Sequence, residues 1–423
     1  MHVLFIHPNF PAQFGHLAHH LATRLGWQCT CVTSVDTTHL NLPFTHINYK
    51  LEPGPQPKTF YNPSSLDGMM QHLIAVYRGL KGVVDLKPDL VVGHISYGTW
   101  LYLRNLYDCP FVGYFEVLPP PFWTEGLALR PEYPPPEGVR LFNAVYHALT
   151  YLHLHAMDAG YTPTHYQLTT CPPELQYKLK VIHDGIDTDA CQPFQVPRPT
   201  NFRGVAIPEG VRVVTYVSRG LESLRGFDIF MKVAGRIVRE RPDTIFLIAG
   251  DERTNYGHDL HHINPKTFKQ HVLEQCDFDL KNFHFLGLIP NQDLPTMLNL
   301  GDLHMYFTAP FVLSWSMLQA MSCGSLMLGS ATAPIQEVIQ DGVNGLLADF
   351  DDIDGLAAKA LKALNDPAGH KHLREAARQT ILDKYAIDLC LKQLVDFFED
   401  TVRTYPQRKE KLKIPPHAGR PPA

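Results

Sequence analysis

Short apolar runs alternate with longer stretches of helical period along most of the chain. Residues 2–6 (His-Val-Leu-Phe-Ile) read as a strand, followed by the loop His7-Pro-Asn-Phe-Pro-Ala-Gln-Phe-Gly15 and a helical stretch over 16–25 that stops at Gly26. Residues 29–33 predict a second strand. Asp89-Leu-Val-Val-Gly-His94 and Phe111-Val-Gly-Tyr-Phe115 predict two more, each after a helical stretch, and 180–187 reads as a last strand with its exit turn. A second series follows. Strands are predicted at 211–217, 244–249, 283–288, 303–307, 326–328 and 345–348, with a helix over 227–240 ended by Pro242, others between the strands, and a final helix over 389–404. Such alternation predicts parallel sheets with right-handed crossovers, an α/β fold. At 423 residues, two cores are expected rather than one. The expected division is a first domain at 1–191, a proline-rich linker at 192–210, a second domain at 211–385, a helix at 386–407 crossing back to the first domain, and a disordered tail at 408–423.

Composition narrows the class. Apolar content of 45% and charge of 19% describe a globular protein, and a net charge of -5 carries no nucleic-acid signature. No apolar stretch reaches the ~18 residues of a membrane span. The start of the chain lacks the basic flank and cleavage site of a signal peptide. Eight scattered cysteines with no Cys-x-x-Cys suit reduced thiols, and a cytoplasmic location is expected.

Candidate chemistry concentrates in Ser314-Trp-Ser-Met-Leu-Gln-Ala-Met-Ser-Cys-Gly324. A helix starting just past an apolar strand turns its free N–H groups toward the crevice at the sheet's carboxyl edge, where a phosphate is favoured. Gln319 carries the lone amide of an apolar turn and needs a partner, for which a sugar hydroxyl is one candidate. Histidines cluster at 16/19/20, 153/155 and 258/261/262. His16 and His20 can share a helix face, but no carboxylate or cysteine completes a ligand set, so no metal site is expected. The proline-rich excursion at 118–125 and 131–136 is either an acceptor lid or a surface loop packed on its domain.

Six segments, in order, resemble the retaining glycosyltransferases of family 4, which have the GT-B fold of two Rossmann-like domains facing a cleft. They are Val181-Ile-His-Asp-Gly-Ile-Asp187, Ser218-Arg-Gly-Leu-Glu-Ser-Leu-Arg-Gly226, Leu247-Ile-Ala-Gly-Asp251, Phe285-Leu-Gly287, Leu318-Gln-Ala-Met-Ser-Cys-Gly324 and Glu337-Val-Ile-Gln-Asp-Gly-Val-Asn-Gly345. The resemblance implies transfer of a sugar from a UDP-, GDP- or ADP-sugar to an acceptor hydroxyl with retention. It implies no metal and no cofactor, because two cations, Arg219 and Arg225, neutralise the leaving diphosphate. Arg225 is expected to be a loop cation whose removal leaves the fold intact. The nucleotide is expected to place its diphosphate near Ser314, its base at Gly287 and Leu288, and its ribose at Gln319, with Glu337 near the nucleotide.

In the first domain, His94 resembles a histidine near the donor sugar. Asn9 and the loop to Gly15 resemble a loop touching diphosphate or acceptor. Glu116, where the family often has histidine, is a candidate ligand for an acceptor hydroxyl. Two positions depart from the pattern: glutamates eight residues apart are replaced by Phe311 and Gln319. These departures support an alternative, an impaired GT-B protein that binds nucleotide-sugar or glycan, or an engineered Glu→Gln change at 319. A sugar-nucleotide epimerase is a second alternative. The acceptor is left open between a glycan, a lipid-linked molecule and a small molecule. A lipid acceptor would bring weak peripheral membrane contact, which no clear basic amphipathic helix supports.

Overall fold

The computed structural model describes residues 1–37, 39–51, 66–97, 99–118, 130–194, 196–264 and 266–411. Its contacts divide the chain into one unit of Met1–Pro121, Leu141–Asp184 and Cys390–Ala423, and a second of Phe122–Arg140 and Gly185–Leu389. The first part of the proline-rich excursion, at 118–125, falls largely, and the expected disordered tail at 408–423 mostly, outside the described residues.

In the first unit, β1 (His2–Ile6), β2 (Gln28–Thr33), β3 (Thr45–Asn48), β4 (Leu90–His94), β5 (Phe111–Tyr114), β6 (Ala159–Thr162) and β7 (Leu179–Val181) form one sheet. Their order is β3-β2-β1-β4-β5-β6-β7, and every pairing is parallel. The central strands read as unbroken apolar runs because helices cover both faces of such a sheet; all five residues of β4 are buried. Helices α1 (Gly15–Arg24), α2 (Leu66–Lys81), α3 (Glu137–Ala156) and α4 (His165–Thr169) supply the crossovers. Gly93 is required inside β4, since a Cβ there would lie 2.2 Å from Trp100 Cδ1, and Trp100 fills the core beneath it.

The second unit opens with a hairpin of β8 (Asn201–Phe202) and β9 (Val205–Ala206), turned through Arg203 and Gly204 at positive φ. This segment is thus structured where the prolines predict only a linker. Phe202, Val205 and Ile207 pack on Val213 and Leu247, so apolar burial holds it. The main sheet comprises β10 (Val213–Gly220), β11 (Ile245–Asp251), β12 (Phe283–Gly287), β13 (Leu303–Tyr306), β14 (Met327–Ser330) and β15 (Leu346–Ala348). It is parallel throughout, in the order β12-β11-β10-β13-β14-β15. Between the strands lie α5 (Phe227–Glu240), α6 (Phe268–Leu273), α7 (Leu294–Leu300), α8 (Trp315–Ser322) and α9 (Ala333–Gln336). After the last strand come α10 (Ile353–Asn365), α11 (Lys371–Lys384) and α12 (Ile387–Lys411). On α5, Phe227, Phe230, Ala234 and Ile237 recur at helical spacing and are buried against the sheet.

In the segment read as a last strand with its exit turn, the strand β7 ends at Val181. Its neighbour β6 ends at Thr162, so after Ile182 N–H donates to Thr162 O no ladder remains to extend it.

Candidate active site

In the second sheet the chain runs outward from β10 to β11 on one side, while β13 flanks β10 on the other. Loops leaving the carboxyl ends of β10 and β13 therefore diverge, and the crevice at this switch point is where open α/β sheets bind ligands. Arg219 stands at the end of β10 and Arg225 in the loop that follows, and Thr308, Phe311, Val312 and Ser314 come from the second loop.

Arg225 is not a solvated loop cation but 94% buried, at 6% relative exposure. Its Nη1 donates to Tyr306 OH at 3.1 Å, Thr308 Oγ1 at 3.3 Å and Val312 O at 2.9 Å. Its Nε and Nη2 make no hydrogen bond with the described residues, so the guanidinium is anchored on one side and available on the other. Tyr256 and Phe311 flank it, each ring centre 5.4 Å from the guanidinium carbon. Arg219 is exposed and donates to Tyr256 OH at 3.2 Å. Gly226, at φ 62°, lets the chain turn from Arg225 into α5; a Cβ there would lie 2.7 Å from Phe307 Cβ. Ser314 caps α8, its Oγ accepting from Ser316 N–H, and its own N–H donates to Tyr306 OH at 2.8 Å. Arg225 and Ser314 thus share the Tyr306 oxygen and line one narrow crevice with Ser218 and Tyr306.

Glu222 was not singled out from sequence, yet it organises this loop. It is fully buried, and its Oε2 accepts from the N–H groups of Asn255 and Tyr256, the latter at 2.9 Å. Burial pushes its carboxyl up to about 7, against the lowering effect of those bonds and of Arg225. Tyr256 is thereby held at backbone, ring and hydroxyl. Tyr256 and Tyr306 carry no sequence signal, because their roles depend on three loops converging. A glutamate between two motif arginines was a usable hint.

The remaining candidates of this unit are less closely joined. Gly287 ends β12 at φ 65°, and Leu288 after it is exposed. Gln319 is half-buried on α8, its amide without a hydrogen bond among the described residues. Glu337 follows the last residue of α9 and is half-buried.

In the first unit the switch point lies between β1 and β4. Two histidines stand there in matching roles. His7 follows β1 and its Nδ1 accepts from Asn9 N–H at 3.0 Å; His94 ends β4 and its Nδ1 accepts from Ser96 N–H at 3.2 Å. In the neutral ring, each bond leaves the proton on Nε2. His94 Nε2 lies 3.3 Å from Glu116 Oε2, and the carboxylate is partly exposed. The His7 ring packs on His94 and Tyr97, and burial, reinforced by His94, depresses its basicity to about 2. His7 was legible in sequence as the first residue past a strand. Asn9 contributes its backbone N–H, and its side chain is exposed. Gly15 starts α1, where a Cβ would lie 2.5 Å from Pro11 Cβ. His16, weighed as a metal ligand, instead bonds through Nε2 to Asp184 O at 2.9 Å.

Two doubly wound parallel-sheet units, one with paired cations at its switch point, define a protein of the GT-B class. Residues 25–191 match the family model described as glycosyl transferase family 4 group, and residues 197–380 the one described as glycosyl transferases group 1. The chain belongs to the group 1 GT-B glycosyltransferases. Over 130 residues it is 28% identical to N-acetyl-alpha-D-glucosaminyl L-malate synthase of Bacillus anthracis, a match covering 29% of this chain and 34% of that one. The matches span 34% to 53% of the length of the first curated relatives. Among solved structures, sucrose-phosphate synthase from Thermosynechococcus elongatus superposes with a TM-score of 0.71 at 14% identity, covering 95% of this chain and 98% of that one. Anabaena HepE in complex with UDP and glucose gives 0.66 at 15% identity, covering 95% and 100%. These likenesses establish the fold.

Proposed function

We propose that the protein moves a sugar from a nucleoside-diphosphate sugar to an acceptor hydroxyl, with retention at the anomeric carbon and without a metal. The observation that carries this reading is Arg225, buried at the switch point with its inner nitrogen anchored and its outer edge available. As the sugar–phosphate bond breaks, negative charge grows on the departing diphosphate. A preorganised cation in a site of low dielectric gains most at that moment. Arg219 and the first turn of α8 add positive potential. Glu222, three positions before Arg225, is buried with Oε2 bonded to backbone, which makes it a poor nucleophile. Front-face attack by the acceptor hydroxyl, guided by the leaving phosphate, suits such a site and gives retention. In the first unit His94 is the candidate beside the donor sugar and Glu116 the candidate ligand for an acceptor hydroxyl. Family members and a structural neighbour with UDP and glucose bound support a nucleotide-sugar donor. The acceptor is a glycan, a lipid-linked molecule or a small molecule. No helix among the described residues is long and apolar enough to cross a membrane. Eight free cysteines, seven of them buried, accord with a cytoplasmic location.

The direct test is calorimetric screening with UDP, GDP and ADP, then transfer assays with the sugar conjugate of whichever binds. Binding of none of the three would remove the reading. Because two arginines neutralise the leaving group, transfer is expected to persist in excess EDTA. Loss in EDTA with recovery on Mn²⁺ or Mg²⁺ would overturn metal independence.

Gln319 gives a second expectation. A ribose offers two neighbouring hydroxyls, which a carboxylate can accept with charge assistance and an amide cannot match. Gln319→Glu is expected to tighten nucleoside-diphosphate binding by about 1–2 kcal/mol. Weaker binding by the glutamate form, measured by titration calorimetry, would mean that this position does not serve the ribose.

A further inference from the structure

We propose that Phe311 and Tyr256 form an aromatic wall that receives the apolar C–H face of the donor's sugar, making Phe311 a specificity-determining residue. This inference rests on the donor reading above and extends it from the diphosphate to the sugar. The two ring centres are 5.1 Å apart, with planes inclined by 54°. Each ring centre is 5.4 Å from the guanidinium carbon of Arg225. A sugar ester-linked to a phosphate held by the outer edge of that guanidinium begins within one phosphate's width of both rings. Both side chains are half-buried, so they are supported from behind and still present surface.

The wall is built rigidly. Tyr256 is fixed by Glu222 Oε2 at its N–H and by Arg219 Nη1 at its hydroxyl. Phe311 sits on the short segment between β13 and α8, whose ends are fixed by Thr308 N–H donating to Ser330 Oγ and Ser314 N–H donating to Tyr306 OH. Its only ring contacts among the described residues are Tyr256 and Arg225. Aromatic faces carry negative potential and attract polarised C–H groups as they attract cations. A phenylalanine also offers no hydrogen bond, so at this wall a sugar is read by the shape and apolarity of its face. A sugar hydroxyl directed at the rings would lose its water without gaining a partner. Donors with an unbroken C–H face are therefore favoured.

The test compares each sugar conjugate with its parent diphosphate: UDP-glucose with UDP, GDP-mannose with GDP, ADP-glucose with ADP. Wild type, Phe311→Leu and Phe311→Tyr are titrated calorimetrically, with circular dichroism as the check on folding. The leucine variant keeps apolar bulk but removes the ring face. It is expected to weaken the conjugate roughly three- to tenfold more than the parent diphosphate, and the tyrosine variant to keep wild-type discrimination. If Phe311 only supported Arg225, conjugate and diphosphate would weaken equally. That result, or no change in a folded leucine variant, would overturn the aromatic wall while leaving the donor site standing. Failure of wild type to bind any diphosphate or conjugate would instead remove the donor reading, and this inference with it.

Discussion

Arg225→Ala is expected to lower sugar transfer by ~10²–10³, the usual loss when one charge-stabilising donor is taken from a site where charge develops. The buried position adds a second expected effect. Tyr306 OH, Thr308 Oγ1 and Val312 O all accept from the same Nη1. Removing that donor leaves a carbonyl without its partner, which costs ~1–3 kcal/mol. The thermal midpoint should therefore fall, contrary to what a surface cation would give, and binding must be measured well below it. Arg225→Lys keeps the charge but lacks the planar fork, so it cannot hold Val312 O and a phosphate together. It is expected to fall between wild type and alanine in both nucleoside-diphosphate affinity and transfer. A folded alanine variant that binds nucleoside diphosphate like wild type would exclude Arg225 from the donor site.

The second large effect is loss of stability in mild acid. Burial lowers four histidines far below the ordinary value of 6.5: His7 to about 2, His304 to about 3, and His153 and His183 to about 4. For each, the unfolded chain binds a proton below pH 6.5 that the folded chain refuses. Their contribution is therefore full above pH 6.5 and is lost as pH falls toward the folded values, at about 1.4 kcal/mol per pH unit per group. By pH 4 the combined loss is on the order of 10 kcal/mol, comparable with the whole stability of a domain. Glu222 acts in the opposite sense. Its folded value near 7 lies above the unfolded 4.5, so the folded state gains as pH falls between them. Three of the four histidines belong to the first unit, whereas Glu222 and His304 belong to the second. The first unit should thus unfold at higher pH than the second, giving two acid transitions resolvable by hydrogen exchange. A flat melting temperature from pH 7 to 5 would contradict this account.

The central strands were readable because a parallel strand buried on both faces must be apolar throughout, as Leu4-Phe5-Ile6 and Leu90-Val91-Val92 are. Strands outside that regime escaped. β3 is Thr-His-Ile-Asn at a sheet edge with no fully buried residue, and β6 is Ala-Gly-Tyr-Thr, too short and small to stand out. The β8–β9 hairpin hid among prolines. The arginines of the candidate site were legible as motif members, but their surroundings were not. That Arg225 is anchored from within while Arg219 stays exposed follows from Tyr306, Thr308 and Val312, supplied by a strand and loop some eighty positions away. Glu222 and Tyr256 likewise meet only because β10 and β11 are neighbours.

The two strand-end histidines bear on how this protein can be retooled. In each, a main-chain N–H two residues ahead makes Nδ1 the acceptor, in addition to the side chains packed around the ring. That amide remains whatever residues surround it. Substitutions at Tyr97 or Glu116 can therefore leave the Nδ1 bond of His94 in place, whereas Tyr114 and Phe115 are buried in the core and must be kept. Substitutions at 9 or 96 preserve the fix as well, provided they are not proline, which has no N–H to give. Laboratory evolution would thus find in this unit a fixed chemical tool in a partly mutable holder.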